Sequence, residues 1–164
     1  MASPTLQGFP PIIASGAQIL ILGNMPGVAS LRAQQYYAHP RNAFWHVTGE
    51  LFRFDPTAPY DDRVTALGAA GVAVWDVLQS CRRVGSLDSA VERESMVANN
   101  FDALFTAHPT IAHVCFNGAA AEKNYRKLVA VDREPRYSRL PSTSPAHTLR
   151  FQDKLAAWRA AVTG

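Results

Sequence analysis

The chain has 164 residues, 48% of them apolar and 18% charged, with a formal net charge of +3 at neutral pH. That length fits one domain around one substantial core, expected over residues 1–164, and the composition excludes a disordered or low-complexity polymer. No apolar run approaches the ~20 residues that cross a bilayer, and the opening "MASPTLQGFPP" has no basic head followed by a long apolar run, so secretion is not expected and a cytoplasmic protein is.

Residues 17–23, "AQILILG", form a short run rich in Ile and Leu that ends in Gly, the pattern of a strand buried on both faces. A helix follows over Asn42 to Phe54, where Phe44, Val47, Leu51 and Phe54 share one face. Asp61 to Ala70 is a second helix, and "GVAVWDV" from residue 71 a second strand. Ser89 to Ala107 reads as helix in two pieces, and "IAHVCFNG" from residue 111 as a third strand. Ala119 to Val131 is helical, "RYSRLP" at 136–141 a weaker fourth strand, and Thr148 to Val162 a closing helix. This alternation implies a three-layer α/β/α sandwich around a mainly parallel four-stranded sheet. Open sheets of this kind bind ligands at their carboxyl edge. Four loops should meet there: "GNMPGVAS", "WDVLQSC", "NGAAAEK" and "PSTSPAHT".

"GNMPGVAS" is neither a phosphate-binding P-loop nor G-x-G-x-x-G, so a nucleotide cofactor lacks its main support and none is expected. Pro26 and Gly27 either form a plain tight turn or fix backbone amides at the sheet edge. In "PSTSPAHT", Ser142, Thr143 and Ser144 stand between two prolines, a stiff hydroxyl-rich loop suited to phosphates. Ser144 or Thr148 could also cap the last helix. Asn117 is a turn residue or a ligand contact beside a helix N-terminus of small residues. The five histidines show no metal-ligand spacing and no metal is expected. His39 and His147 lie in the converging loops, whereas His113 reads as structural. Cys81 and Cys115 are too few for an iron–sulfur or four-cysteine zinc site and read as reduced core thiols. There is no G-x-S-x-G, and no cysteine stands beside an obvious base. Thirteen of the sixteen basic residues are Arg, the side chain suited to bidentate phosphate contact, which hints at nucleic acid. The three lysines fall on helices away from the first and last loops, which leaves no amine for a Schiff base.

Taken together, "ILILGNMPG", "YYAHPRNAFWHV", "VAVWDVLQSCRRVGSLDSAV", "CFNGAAAEK" and "LPSTSPAH" resemble the uracil-DNA glycosylase superfamily over about residues 17 to 150. The first two are similar to the mismatch-specific uracil/thymine-DNA glycosylases, and the whole set is closest to the hypoxanthine-DNA glycosylase branch. The resemblance implies a monofunctional glycosylase of base excision repair. It would act as a nucleoid-associated monomer on double-stranded DNA carrying a deaminated or mismatched base. Met25 occupies the slot where the mismatch-specific enzymes place a water-positioning Asn, with Asn24 one residue earlier. In the hypoxanthine branch the matching catalytic amide is Asn42, which could equally be a helix cap. Tyr37 corresponds to the ring that stacks on the extruded base, with a half-buried core ring as the alternative and Tyr36 as core. Asp76 corresponds to the residue that reads the base edge, where a carboxylate would accept from a ring N–H; a helix cap is the other reading. Met25 and Asn117 complete the base-binding set. Pro26, Gly27, Ser142, Thr143, Ser144, Pro145 and His147 would hold DNA. A non-catalytic DNA-binding module and a small-molecule α/β enzyme are the competing readings.

Overall fold

In the computed structural model, which describes residues 4–163, the chain runs β1 (Thr5–Gln7), β2 (Ile19–Gly23), α1 (Val28–Ala33), α2 (Phe44–Phe52), α3 (Tyr60–Ala69) and β3 (Val72–Asp76). It continues through β4 (Leu78–Arg82), β5 (Val97–Ala98), α4 (Phe101–Ala107), β6 (His113–Asn117), α5 (Ala119–Leu128), β7 (Arg136–Leu140) and α6 (Phe151–Thr163). Residues 1–3, part of the segment read as lacking a leader, lie outside the described residues, as does Gly164.

The four expected strands form one parallel sheet in the order β3-β2-β6-β7. Alternation along each strand divides the apolar side chains between two faces. Leu20, Leu22, Ala73, Val114 and Phe116 point to one side, against Phe101, Leu104 and Phe105 of α4 and Tyr125 of α5. Ile21, Val72, Val74, Cys115 and Leu140 point to the other, against α2, α3 and α6 through Phe44, Val47, Leu67, Leu155 and Trp158. This is the α/β/α sandwich that the strand–helix alternation implies. Both cysteines are free and buried, one in each core.

Besides β1, which the sequence reading left unassigned, and α1, which starts within the loop read at "GNMPGVAS", three segments depart from the reading of the sequence. "WDVLQSC" is not a loop: the chain turns at Val77, whose N–H donates to the Gly23 carbonyl at 2.8 Å, and re-enters as β4. There it pairs antiparallel with β1 and β5 in a second, three-stranded sheet. Burial of Leu78 and Cys81 in the α4 and α5 face draws it inward. Of 89–107 only α4 is helical, capped by Asn100, whose side chain accepts from the Ala103 N–H at 3.0 Å. The preceding stretch makes single 3-10 turns at 88–90 and 93–95, then β5. Finally, α6 begins at Phe151, so neither Ser144 nor Thr148 caps it. The Ser144 hydroxyl accepts from the Ala146 N–H within its own loop instead.

Candidate active site

Strand order reverses between β2 and β6, and at their carboxyl ends lies a cavity of about 290 Å³. Residues from six stretches of chain line it. The exit of β2 supplies Asn24, Met25, Pro26 and Gly27; the segment before α2 supplies Tyr37, His39 and Asn42. Asp76 comes from the end of β3, Asn117 from the end of β6, and Ser142, Thr143, Ser144 and Pro145 from the last loop. His147 is the sequence-derived candidate that does not line the cavity.

Asp76 sits at the floor, 4% exposed, with Oδ2 buried and unpartnered. Burial, reinforced by the nearby Asp88 carboxylate and opposed by Arg83, pushes its pKa up to about 7. No helix starts there, which removes the capping alternative: the residue ends one strand and the next begins two positions later. Beside it, the Tyr37 hydroxyl is also buried without a partner. Tyr37 adopts a left-handed backbone, φ 54°, and stacks one ring face on Phe44 with centroids 4.0 Å apart. Burial, then the Asp76 charge, raises its phenol above the ordinary range. Tyr36 is core, 4% exposed, donating its hydroxyl to the Pro10 carbonyl at 2.9 Å.

The three candidate amides differ in how far they are engaged. Asn24 donates to Asp88 Oδ1 at 3.1 Å and accepts from Asn124 at 2.8 Å. Asn117 is paired at both ends with Thr143: it donates to Oγ1 and accepts from the Thr143 N–H, each at 2.9 Å. Thr143 itself is fully buried, and its carbonyl accepts from the Ala43 N–H at 3.0 Å, so it fastens the last loop to the start of α2. Asn42 accepts from the Phe44 N–H at 3.0 Å through Oδ1, which makes it a local cap, while its amide nitrogen has no partner among the described residues. Met25 is 7% exposed and packs into the core on the α4 and α5 side.

The placement of the lysines needs a correction. Lys154 is not remote from the last loop: its ammonium donates to the Ser144 carbonyl at 3.2 Å from beneath, and burial lowers its pKa. Packing of α6 under 141–144, which Trp158 also secures by donating to the Pro141 carbonyl at 2.9 Å, brings it there. It does not line the cavity. The sequence reading missed Ser86, Leu87 and Asp88, which do. They lie between the loop read at 75–81 and the helix read from Ser89, a stretch given no element, although the Gly85–Ser86 pair is itself a turn signal. Among the described residues no group of three or more His, Cys, Asp or Glu side chains could hold a metal ion.

The family model described as the uracil DNA glycosylase superfamily matches residues 10–162. The chain belongs to the uracil DNA glycosylase superfamily. It is 34% identical over 153 residues to a hypoxanthine DNA glycosylase of Methanosarcina barkeri, covering 93% of this chain and 94% of that protein. A hypoxanthine DNA glycosylase of Methanosarcina acetivorans is 32% identical over 155 residues, covering 94% and 96%. The solution NMR structure of a candidate uracil DNA glycosylase from the same species superposes with a TM-score of 0.80 at 30% identity, covering 96% of both chains. The protein is thus a hydrolytic DNA N-glycosylase whose substrate is DNA. No helix among the described residues is long and apolar enough to cross a membrane.

Gly23 makes the glycosylase's floor possible. A Cβ there would lie 2.5 Å from Asp76 Oδ1 and 2.8 Å from the Tyr37 hydroxyl. Gly23→Ala therefore displaces both polar atoms, and excision in single-turnover assays falls by about tenfold or more because ångström-scale misplacement is costly. A far-ultraviolet dichroism spectrum matching wild type checks that the fold is kept.

Proposed function

We propose that the glycosylase hydrolyses the N-glycosidic bond of hypoxanthine in double-stranded DNA, the base formed by adenine deamination, and leaves an abasic site. It does so as a single domain and a monomer at the nucleoid in the cytoplasm. The observation that carries this reading is the buried Asp76 carboxyl, with one oxygen unpartnered at the floor of the cavity. At about 290 Å³ the cavity is near the lower end of the roughly 300–1,000 Å³ of small-ligand sites, a size suited to one base.

A base within a duplex cannot be reached, so the nucleotide is extruded at a cost of a few kcal/mol, least where pairing is already poor. Tyr37, backed by Phe44, offers its other face to the base, and stacking there returns roughly 1–3 kcal/mol. The ionised Asp76 carboxylate accepts the purine lactam N1–H. Adenine carries a lone pair at that position, so the same carboxylate rejects it. Asn42 orients the attacking water through its free amide. Asn24 instead ties the rim together between Asp88 and Asn124. An amide is not a base, so catalysis rests on fixed dipoles that meet charge only as it develops: positive on the sugar, negative on the departing purine. Flanking DNA phosphates, gripped by the last loop and the first turn through Pro26 and Gly27, stabilise the sugar cation.

The test is incubation with duplexes containing deoxyinosine, deoxyuridine or only normal bases, followed by hot alkali. Strand breaks at deoxyinosine are expected. Breaks confined to deoxyuridine would replace the assignment with the mismatch-specific uracil reading. Binding without any break would leave a DNA-binding module.

A further inference from the structure

Lys154 is the one buried charged side chain of α6, 4% exposed, while Asp153 beside it pairs with Arg150 at 3.0 Å nearer the solvent. An ammonium taken out of water costs free energy unless an anion faces it. Among the described residues no carboxylate lies within ion-pair distance of Lys154. Burial alone, with no neighbouring charge, lowers its pKa. Its hydrogen-bond partner is the Ser144 carbonyl, in the loop that lines the cavity.

The same loop is seated by other donors, all of them neutral. The Pro141 carbonyl accepts from Trp158 Nε1 at 2.9 Å, and the Thr143 carbonyl from the Ala43 N–H at 3.0 Å. The Ser144 carbonyl already accepts from the His147 N–H at 3.0 Å. A neutral N–H therefore suffices to hold a carbonyl here, and at Ser144 one is in place. What the ammonium adds is charge. With their carbonyls engaged inside the protein, residues 142–144 turn hydroxyls toward the cavity. The Ser142 and Ser144 oxygens accept from the Ser144 and Ala146 N–H groups at 3.1 and 3.2 Å, which leaves both hydroxyl hydrogens to donate. The counter-charge that Lys154 lacks is thus an anion on the hydroxyl side, one peptide layer away. Charges are screened over about 8 Å at physiological salt, and protein instead of water fills the gap, so the ammonium is felt across it.

We propose that Lys154 is a positioning residue for DNA binding, supplying from beneath residues 141–144 the positive charge that a DNA phosphate on the loop completes, without touching that phosphate. The proposal rests on the reading of this loop as a DNA contact.

The test measures duplex affinity against salt by fluorescence anisotropy for wild type, Lys154→Gln and Lys154→Arg, on deoxyinosine and undamaged duplexes. Glutamine keeps an N–H for the Ser144 carbonyl and removes the charge. At about 50 mM salt it should bind both duplexes about tenfold more weakly than wild type, and the gap should close as salt rises. The slope of log affinity against log salt should flatten by about 0.5–0.9, up to the share of one phosphate. Arginine should keep the wild-type slope. The loss should sit in binding, with the excision rate on saturating deoxyinosine duplex changed by less than about threefold. Parallel slopes for Lys154→Gln and wild type, whether or not affinity falls, would overturn the proposal, since a merely structural lysine leaves no salt signature. Wild type supplies a readout that needs no variant to fold. The Lys154 ammonium, followed through the NMR shift of its Cε, should titrate at higher pH in the DNA complex than in the free protein, because an anion favours the charged form. An unchanged midpoint counts against the role. A wild type that binds DNA yet leaves deoxyinosine uncut would sink the excision reading, and the salt slopes would still decide the part played by Lys154.

Discussion

Asn42→Ala lowers single-turnover excision from a deoxyinosine duplex by about 100-fold or more, the scale of losing one well-placed polar group from a reacting centre. Binding of the same duplex should change by less than about threefold, because in the proposed mechanism Asn42 acts on the water and not on the stacked base. Two effects of the substitution must be kept apart. Asn42 Oδ1 accepts from the Phe44 N–H at 3.0 Å, so alanine also removes a local cap worth about 0.5–2 kcal/mol. Asn42→Ser separates them, since serine caps well but cannot hold a water at the amide position. It should recover the melting temperature and not the rate. If serine recovered the rate as well, Asn42 would be a structural residue and water positioning would pass elsewhere, with Asn24 next in line.

Removing the Asp76 acceptor has an effect of similar size. Asp76→Leu leaves the purine N1–H facing an apolar surface, and excision should drop by about 100-fold or more, as when a site loses the partner of a buried polar group. The milder Asp76→Asn keeps an acceptor oxygen and loses the charge, so it separates hydrogen bonding from ionisation. The Asp76 pKa is held up at about 7 by burial and by Asp88. The wild-type rate should therefore rise as pH increases through about 7, where the accepting carboxylate forms, and Asp76→Asn should remove that step. Stability runs the other way. A carboxyl whose folded pKa lies above its unfolded value contributes most below the unfolded pKa, and that contribution is lost as pH rises through the folded one. Asp76→Asn should therefore melt higher than wild type at about pH 8, by several degrees or roughly 2–4 °C per kcal/mol, and close to it at about pH 4. A pH–rate step that survives in Asp76→Asn would place the titrating group elsewhere.

Much of this site could be located before any coordinates, because a strand buried on both faces is a short uninterrupted apolar run, and its end marks the sheet edge. That rule alone points to Asn117 and to the loops after each strand, whereas Asn24 and Asp76 stand out through the family resemblance. The first two strands of the parallel sheet lie in register, Leu20 beside Ala73 and Leu22 beside Trp75. The second sheet follows no such rule. In β4, Gln79 is exposed between buried Leu78 and Ser80, and β5 is only two residues long, too little for a period to declare itself. The strap at 83–88 was hidden for another reason: in sequence an arginine beside another arginine looks like solvated charge, yet Arg83 is buried and bonded to Pro26. The Asn24 clamp was equally hidden, since its partners Asp88 and Asn124 stand 64 and 100 positions away. Resemblance to a family supplied the candidate roles of Tyr37 and Asn42. The sequence pattern could say only that they precede a helix.

The most direct measurement is a crystal structure of Asn42→Ala bound to a duplex with one deoxyinosine. The account predicts the hypoxanthine swung out of the stack into the cavity, lying on Tyr37, with N1 about 2.7–3.2 Å from an Asp76 oxygen. A hypoxanthine still paired within the helix, or one held at a surface away from Asp76, would contradict it.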